Sequence, residues 1–117
     1  MSNFTIYHNP RCSKSRHALE LLKDNGINPK VVLYLQTPLS EKELVLILKK
    51  LNLEAKDLLR KGEAEFKELK LSDSSKSEED LIKAMINFPK LMERPIIINR
   101  DRAVIGRPPE NVLEIIK

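Results

Sequence analysis

The chain has 117 residues, 41% apolar and 32% charged, which fits one globular domain with a modest core, and no second domain is expected. Its 21 basic and 17 acidic residues leave a net charge of +4, yet they are interspersed, so a nucleic-acid tail is not indicated, and with 4% aromatics and no Trp base-stacking platforms are poorly supplied. A small anion is the better expected partner. The two histidines, His8 and His17, have no metal-ligand spacing with the single Cys12, so no metal site is expected. Met1, Ser2 and Asn3 are polar and no apolar run approaches the roughly 18 residues of a membrane span, so neither signal peptide nor anchor is expected and the location read is cytoplasmic.

In chain order, the alternation of Phe4 and Ile6 predicts a strand that stops at Asn9 and Pro10. Cys12 follows, and an apolar pattern of helical period (Ala18, Leu19, Leu22) begins beyond it. A strand therefore delivers Cys12 to a helix start, where the first amides lack internal partners and carry about half a positive charge, which favours thiolate. A lone cysteine is more often a small buried hydrophobe. Here Arg11, Ser13, Lys14, Ser15 and Arg16 make an apolar burial site a poor expectation and supply electropositive surroundings instead. Ser15 stands where a Cys-x-x-Cys oxidoreductase would carry its resolving cysteine, so the site is monothiol and any redox cycle takes its second sulfur from outside. A phosphatase-type loop needs an arginine six places after the cysteine, where Ala18 stands.

Asn25 and Gly26 cap the first helix, and Val31 to Leu35 reads as a second strand, parallel to the first and buried on both faces. After Pro38, Ser40 and Glu43 form a capping box for a helix with Leu44, Ile47, Leu48 and Leu51 on one face, closed by Asn52. The charge-rich stretch from Glu54 to Leu71 reads as short helical turns separated by Gly62, and Ser77 caps a further helix with Leu81, Ile82, Met85 and Ile86, stopped by Pro89. Pro95 to Asn99 and Ala103 to Ile105 make a hairpin around the turn Asn99, Arg100, Asp101, Arg102. Pro108 and Pro109 lead a last helix with Val112, Leu113 and Ile116 on its face. The order βαβ, several helices, ββα predicts an α/β fold, a four-stranded mixed sheet with helices on its faces.

The stretch Tyr7, His8, Asn9, Pro10, Arg11, Cys12, Ser13, Lys14, Ser15, Arg16 resembles the active-site loop of the glutaredoxin-linked arsenate reductases, relatives of the Spx transcription regulators. Leu58 to Lys61, Glu93 to Ile96 and Gly106 to Pro108 are similar to that family's three arginine-bearing segments, so the resemblance covers nearly the whole chain. It implies one thioredoxin-like domain over residues 1–117, with a helical insertion at about residues 40–90. It also implies that Cys12 attacks arsenate, that Arg60, Arg94 and Arg107 hold the oxyanion, and that Pro95 borders the site through a cis Arg94–Pro95 peptide. By sequence alone those arginines are a solvated helix end, a strand entry and a turn.

The expected cycle binds no cofactor: glutathione is a co-substrate that attacks the cysteine–arsenate adduct, and glutaredoxin resolves the mixed disulfide as arsenite leaves. An imidazolium at His8 would favour the Cys12 thiolate, although a polar strand-end histidine is the plainer reading. Ser15 has two compatible readings, a hydrogen bond to the sulfur or, like Ser13, a helix cap. Arg16 and Lys14 read as solvated charge. The chain looks like the shorter, chromosomal branch of the family, with arsenate one of several conceivable oxyanions. The alternatives are an Spx-like regulator that binds RNA polymerase and a thioredoxin-like protein acting on something other than arsenate.

Overall fold

The computed structural model describes residues 3–116, so Met1 and Ser2 of the polar start lie outside the described residues. The chain folds into two compact units, one formed by the residues up to Thr37 together with those from Arg94 onward, the other by Pro38–Glu93.

The first unit is built on a four-stranded sheet in the order β2-β1-β3-β4. β1 (Phe4–Tyr7) runs parallel to β2 (Lys30–Val32) and antiparallel to β3 (Ile96–Asn99), which pairs antiparallel with β4 (Arg102–Ile105). The uninterrupted run Ile96, Ile97, Ile98 is buried because β3 is a central strand covered on both faces. Its hairpin turn is tighter than the predicted four residues, with Arg100 in the left-handed region at φ 60°.

The run from Val31 behaves differently. β2 is a three-residue edge strand, and Val31 and Leu35 are each 43% exposed, contrary to the expectation of a strand buried on both faces. A strand with one sheet neighbour has nothing to cover its outer side, and Thr37 turns back on Leu33 (N–H to O 2.9 Å) immediately after it.

α1 (Ser13–Asp24) lays Ala18 and Leu22 onto Ile6 and Ile97, and Val112 and Ile115 complete this core. It ends where predicted, with Asn25 as C-cap and Gly26 at φ 78°, a value that glycine adopts without Cβ strain. The last helix enters as a 3₁₀ turn over Pro109–Val112 before α6 (Leu113–Ile116). The three-residue period of that turn places Val112 and Ile115 on the core side and leaves Leu113, predicted on the buried face, 40% exposed.

The second unit is helical: α2 (Glu41–Leu51), α3 (Ala55–Leu58), α4 (Ala64–Glu68), α5 (Glu78–Asn87) and a 3₁₀ turn over Pro89–Leu91. Both predicted N-termini are present as reciprocal pairs. Ser40 Oγ accepts the Glu43 N–H at 3.1 Å while Glu43 Oε1 accepts the Ser40 N–H at 3.3 Å, and Ser77 pairs with Asp80 in the same way. Leu44, Ile47, Leu48, Leu58, Leu81, Ile82 and Met85 form the buried side. A short antiparallel pairing of Leu59 with Met92 closes the unit, with the Arg60 N–H donating to Leu91 O (2.7 Å) and the Glu93 N–H to Leu58 O (2.8 Å). Among the described residues no helix is long and apolar enough to cross a membrane.

Candidate active site

The site begins where β1 ends. The His8 N–H still donates to Val32 O (2.9 Å), prolonging the β1–β2 ladder by one bond, and the chain then turns through Asn9 and Pro10. Asn9 organises that turn with three bonds: its Oδ1 accepts the Arg11 N–H, its carbonyl accepts the Cys12 N–H and its own N–H donates to Ser15 Oγ, each at 3.0 Å. This Asx turn brings the chain to Cys12 in extended backbone (φ −94°, ψ 121°) as the N-cap of α1. Sequence reasoning treats Asn9 only as a strand stop, yet an Asn-Pro pair ahead of a helix is the signal for such a turn. Arg16, expected to be solvated charge, anchors the loop through Nη1 to Pro10 O at 2.8 Å.

No side chain caps α1, and its first amides are left for the half-buried sulfur. Burial pushes the Cys12 thiol up, but the Ser15 N–H, a hydrogen bond from the Arg94 side chain and the Lys14 N–H bring it below its ordinary value. Cys12 is thus the N-cap residue of α1, with its sulfur beside amides that no side-chain oxygen takes up.

The hydroxyl of Ser15 turns away from that sulfur. Ser15 is fully buried, its Oγ accepts the Asn9 N–H and lies 2.6 Å from His8 Nδ1, so the link from Ser15 to Cys12 runs through its amide rather than its hydroxyl. The imidazolium reading of His8 is also corrected. Burial first, then the positive charges of Arg16 and Lys23, hold the His8 pKa below its usual value, which makes the neutral ring the resting form at pH 7. Ser15 Oγ therefore bridges the Asn9 N–H and the His8 ring, tying both residues to the start of α1. His8 and Ser15 fix the loop that aims the amides; neither supplies charge to Cys12.

Across the sheet, the Arg94–Pro95 peptide is cis, as expected, and Pro95 is buried. Gly106 clasps it from the end of β4: the Gly106 N–H donates to Pro95 O at 2.8 Å, and a Cβ on Gly106 would stand 2.9 Å from Pro95 Cγ. Arg94 reaches the Cys12 sulfur, and its Nε is buried with no hydrogen-bond partner among the described residues. Arg107 follows Gly106 in the same unit and opens a second cis peptide, Arg107–Pro108, its carbonyl held by Asn111 Nδ2 at 3.3 Å. Arg60 belongs to the other unit, where Nε and Nη1 are likewise buried without hydrogen bonds and Glu63 Oε1 stands 3.6 Å from Nε. Of the three predicted arginines the structure thus joins Arg94 to Cys12. Among the described residues no group of His, Cys, Asp and Glu is arranged to hold a metal ion.

A thiolate beside a guanidinium with an unused N–H is suited to attack an anion, because the donor that stabilises the sulfur also offsets the charge of the incoming oxygens. Alkylation of Cys12 by iodoacetamide is expected to show a midpoint below the free-thiol value of about 8.5 and to move upward in Arg94→Ala. A midpoint at or above 8.5 in the unmodified protein would refute the thiolate assignment. Because the folded pKa lies below the unfolded one, the ionised sulfur contributes stability that is present above the unfolded value and lost as pH falls through the folded one.

The profile of the ArsC family matches residues 7–115, a span that holds Cys12 and all three arginines. A Haemophilus influenzae protein named arsenate reductase is 48% identical over 112 residues, 95% of this chain and 97% of its own length. An uncharacterized Escherichia coli protein, YfgD, is 59% identical over 112 residues, 95% of this chain and 94% of its own. The solved structure titled arsenate reductase from Vibrio cholerae superposes with a TM-score of 0.94 at 49% identity, over 96% of both chains.

Proposed function

From the premise that this chain belongs to the ArsC family, we propose that it reduces arsenate to arsenite with glutathione and glutaredoxin as the thiol donors. One observation carries the reading: the Arg94 side chain stands beside the sulfur of the protein's single cysteine, at the start of α1, and holds its pKa down. Thioredoxin-like topology places a nucleophile there in many chemistries, and the guanidinium makes this one an oxyanion site.

In the proposed cycle Arg60, Arg94 and Arg107 hold the arsenate oxygens while Cys12 Sγ attacks arsenic. A sulfur–arsenic bond forms and an oxygen departs as water. A glutathione thiolate then attacks Cys12 Sγ, the sulfur–sulfur bond forms and the sulfur–arsenic pair stays on arsenic, which leaves as arsenite. Two electrons reach arsenic and two sulfurs end as a mixed disulfide, which glutaredoxin reduces. His8, Ser15 and Asn9 hold the loop, and Pro95 walls the site. Thiol donors of this kind belong to the cytoplasm. An Spx-like switch would need a second cysteine at position 15, where Ser15 is committed to His8.

The test is NADPH consumption with arsenate, glutathione, glutathione reductase and glutaredoxin, run beside a pull-down with RNA polymerase. Arsenate-dependent turnover is expected; polymerase binding without turnover would overturn the reading. Arg94→Lys and Arg107→Lys should each lose about 1.5–3 kcal/mol of charged hydrogen bonding, roughly ten- to hundredfold in kcat/KM, since an ammonium cannot reproduce a two-pronged fork. Normal arsenate kinetics in both variants would remove the arginines from the anion clamp.

A further inference from the structure

We propose that Glu63 is the intramolecular competitor for Arg60: its carboxylate holds the guanidinium when no substrate is bound, and an oxyanion must displace it. The inference rests on the reading of Arg60 as an oxyanion ligand and adds a residue that sets how tightly, and for which charge, that ligand acts.

Arg60 is fixed at its backbone and unsatisfied at its head. Its N–H is bonded to Leu91 O at 2.7 Å inside the Leu59–Met92 pairing, so the residue cannot move far. Its side chain is 22% exposed, and Nε and Nη1 are buried with no hydrogen-bond partner among the described residues. Buried donors on a charged group are costly to leave unused, and an unpaired one calls for a missing acceptor. The carboxylate beside it does not fill that need. Glu63 Oε1 lies 3.6 Å from Nε, within reach of charge attraction but too long for a hydrogen bond.

Glu63 is not engaged more strongly elsewhere. It is the N-cap residue of α4, yet its side chain caps nothing. Lys90 feels its charge but is bonded to a different acid, with Glu65 Oε2 meeting Lys90 Nζ at 2.8 Å, which shows what a committed pair looks like. The Glu63 N–H donates to Arg60 O at 3.3 Å, closing a tight turn through Lys61 and Gly62 that keeps the carboxylate tethered beside the guanidinium. The Arg60–Glu63 contact is thus a loose, local, renewable one, suited to being exchanged.

The consequence is selective. A carboxylate presents one negative charge on two oxygens, the same fork complement a tetrahedral oxyanion offers. A monoanion that replaces it exchanges like for like and gains little, whereas a dianion gains a charge and the hydrogen bonds that Glu63 leaves unmade. Glu63 therefore favours dianionic tetrahedral oxyanions over monoanions such as chloride.

The experiment compares the wild type with Glu63→Gln and Glu63→Ala, reading the KM for arsenate in the coupled assay and, by calorimetry, the binding of inorganic phosphate; the expected scale follows from a partly exposed ion pair. Both constants are expected to fall about two- to fivefold, and chloride is expected to compete better in the variants than in the wild type. Combined with Arg60→Lys, the gain should shrink or vanish. Unchanged or raised constants in both Glu63 variants, or a full gain that persists with Arg60→Lys, would overturn the proposal. A structural role for Glu63 alone would raise KM or lower kcat and would not tighten phosphate. If the wild type turned over no arsenate, the reductase reading would fall, while phosphate binding would still decide whether Glu63 competes.

Discussion

Replacing Cys12 by Ser is expected to lower arsenate turnover by at least about a thousandfold, roughly 4 kcal/mol of barrier, leaving only background. The sulfur is the one group in the site whose ionised form is held ready, by the Ser15 and Lys14 amides and by Arg94. A serine hydroxyl in the same position would meet the same donors but would remain protonated near neutral pH, and it could not pass through a disulfide. The electron balance predicts a second loss of the same size in the unmodified protein. With a single cysteine in 117 residues, the unmodified protein cannot regenerate itself through an internal disulfide, so leaving out glutathione and glutaredoxin should stop turnover as completely as the mutation does. Sustained turnover with thioredoxin alone would sink the monothiol cycle.

Gly106→Ala is expected to damage stability and activity together, although Gly106 has no side chain to offer a substrate. A Cβ there would lie 2.9 Å from Pro95 Cγ, 3.1 Å from Ile97 Cδ1 and 3.4 Å from Ala18 Cβ. The proline ring cannot rotate aside, and the Gly106 N–H bond to Pro95 O at 2.8 Å ties the two backbones together. Relief must come from a shift of Pro95, and Pro95 carries Arg94 with it. The expected loss is about 1–3 kcal/mol in urea unfolding, accompanied by a rise in the Cys12 alkylation midpoint as the guanidinium is displaced. A variant with wild-type unfolding and an unmoved midpoint would show that the clasp is slack and that Arg94 is positioned by something else.

Local chemistry makes much of this molecule legible from its residues alone. Ser40 with Glu43, and Ser77 alone, announce helix starts because capping bonds lie within four residues, and Cys12 announces its helix start because Asn-Pro ends the strand just before it. Sequence reasoning fails where the answer depends on distant neighbours. The run at Val31 and the run at Ile96 look alike in composition, yet only sheet order decides that the second is central and the first an edge. The neutral state of His8 follows from burial and from the charges of Arg16 and Lys23 on α1, and no pattern beside His8 spells out either. Likewise nothing in Glu93 to Ile96 says that Arg94 will meet the sulfur of Cys12, far earlier in the chain; the β1–β3 pairing sets that, and only family resemblance anticipates it.

The donors around Cys12 also govern how the sulfur departs. An anion stabilised by two amides and a guanidinium is a weaker base, and such a thiolate attacks somewhat more slowly than a free one, since nucleophilicity falls with pKa. The same stabilisation makes it a better leaving group when a second thiol opens the mixed disulfide, and it biases that attack, because the incoming sulfur does best to strike the partner atom and expel Cys12. The helix start that readies the nucleophile therefore also directs its release, so that the enzyme is returned with its sulfur already ionised and without an internal cysteine to choose between the two sulfurs.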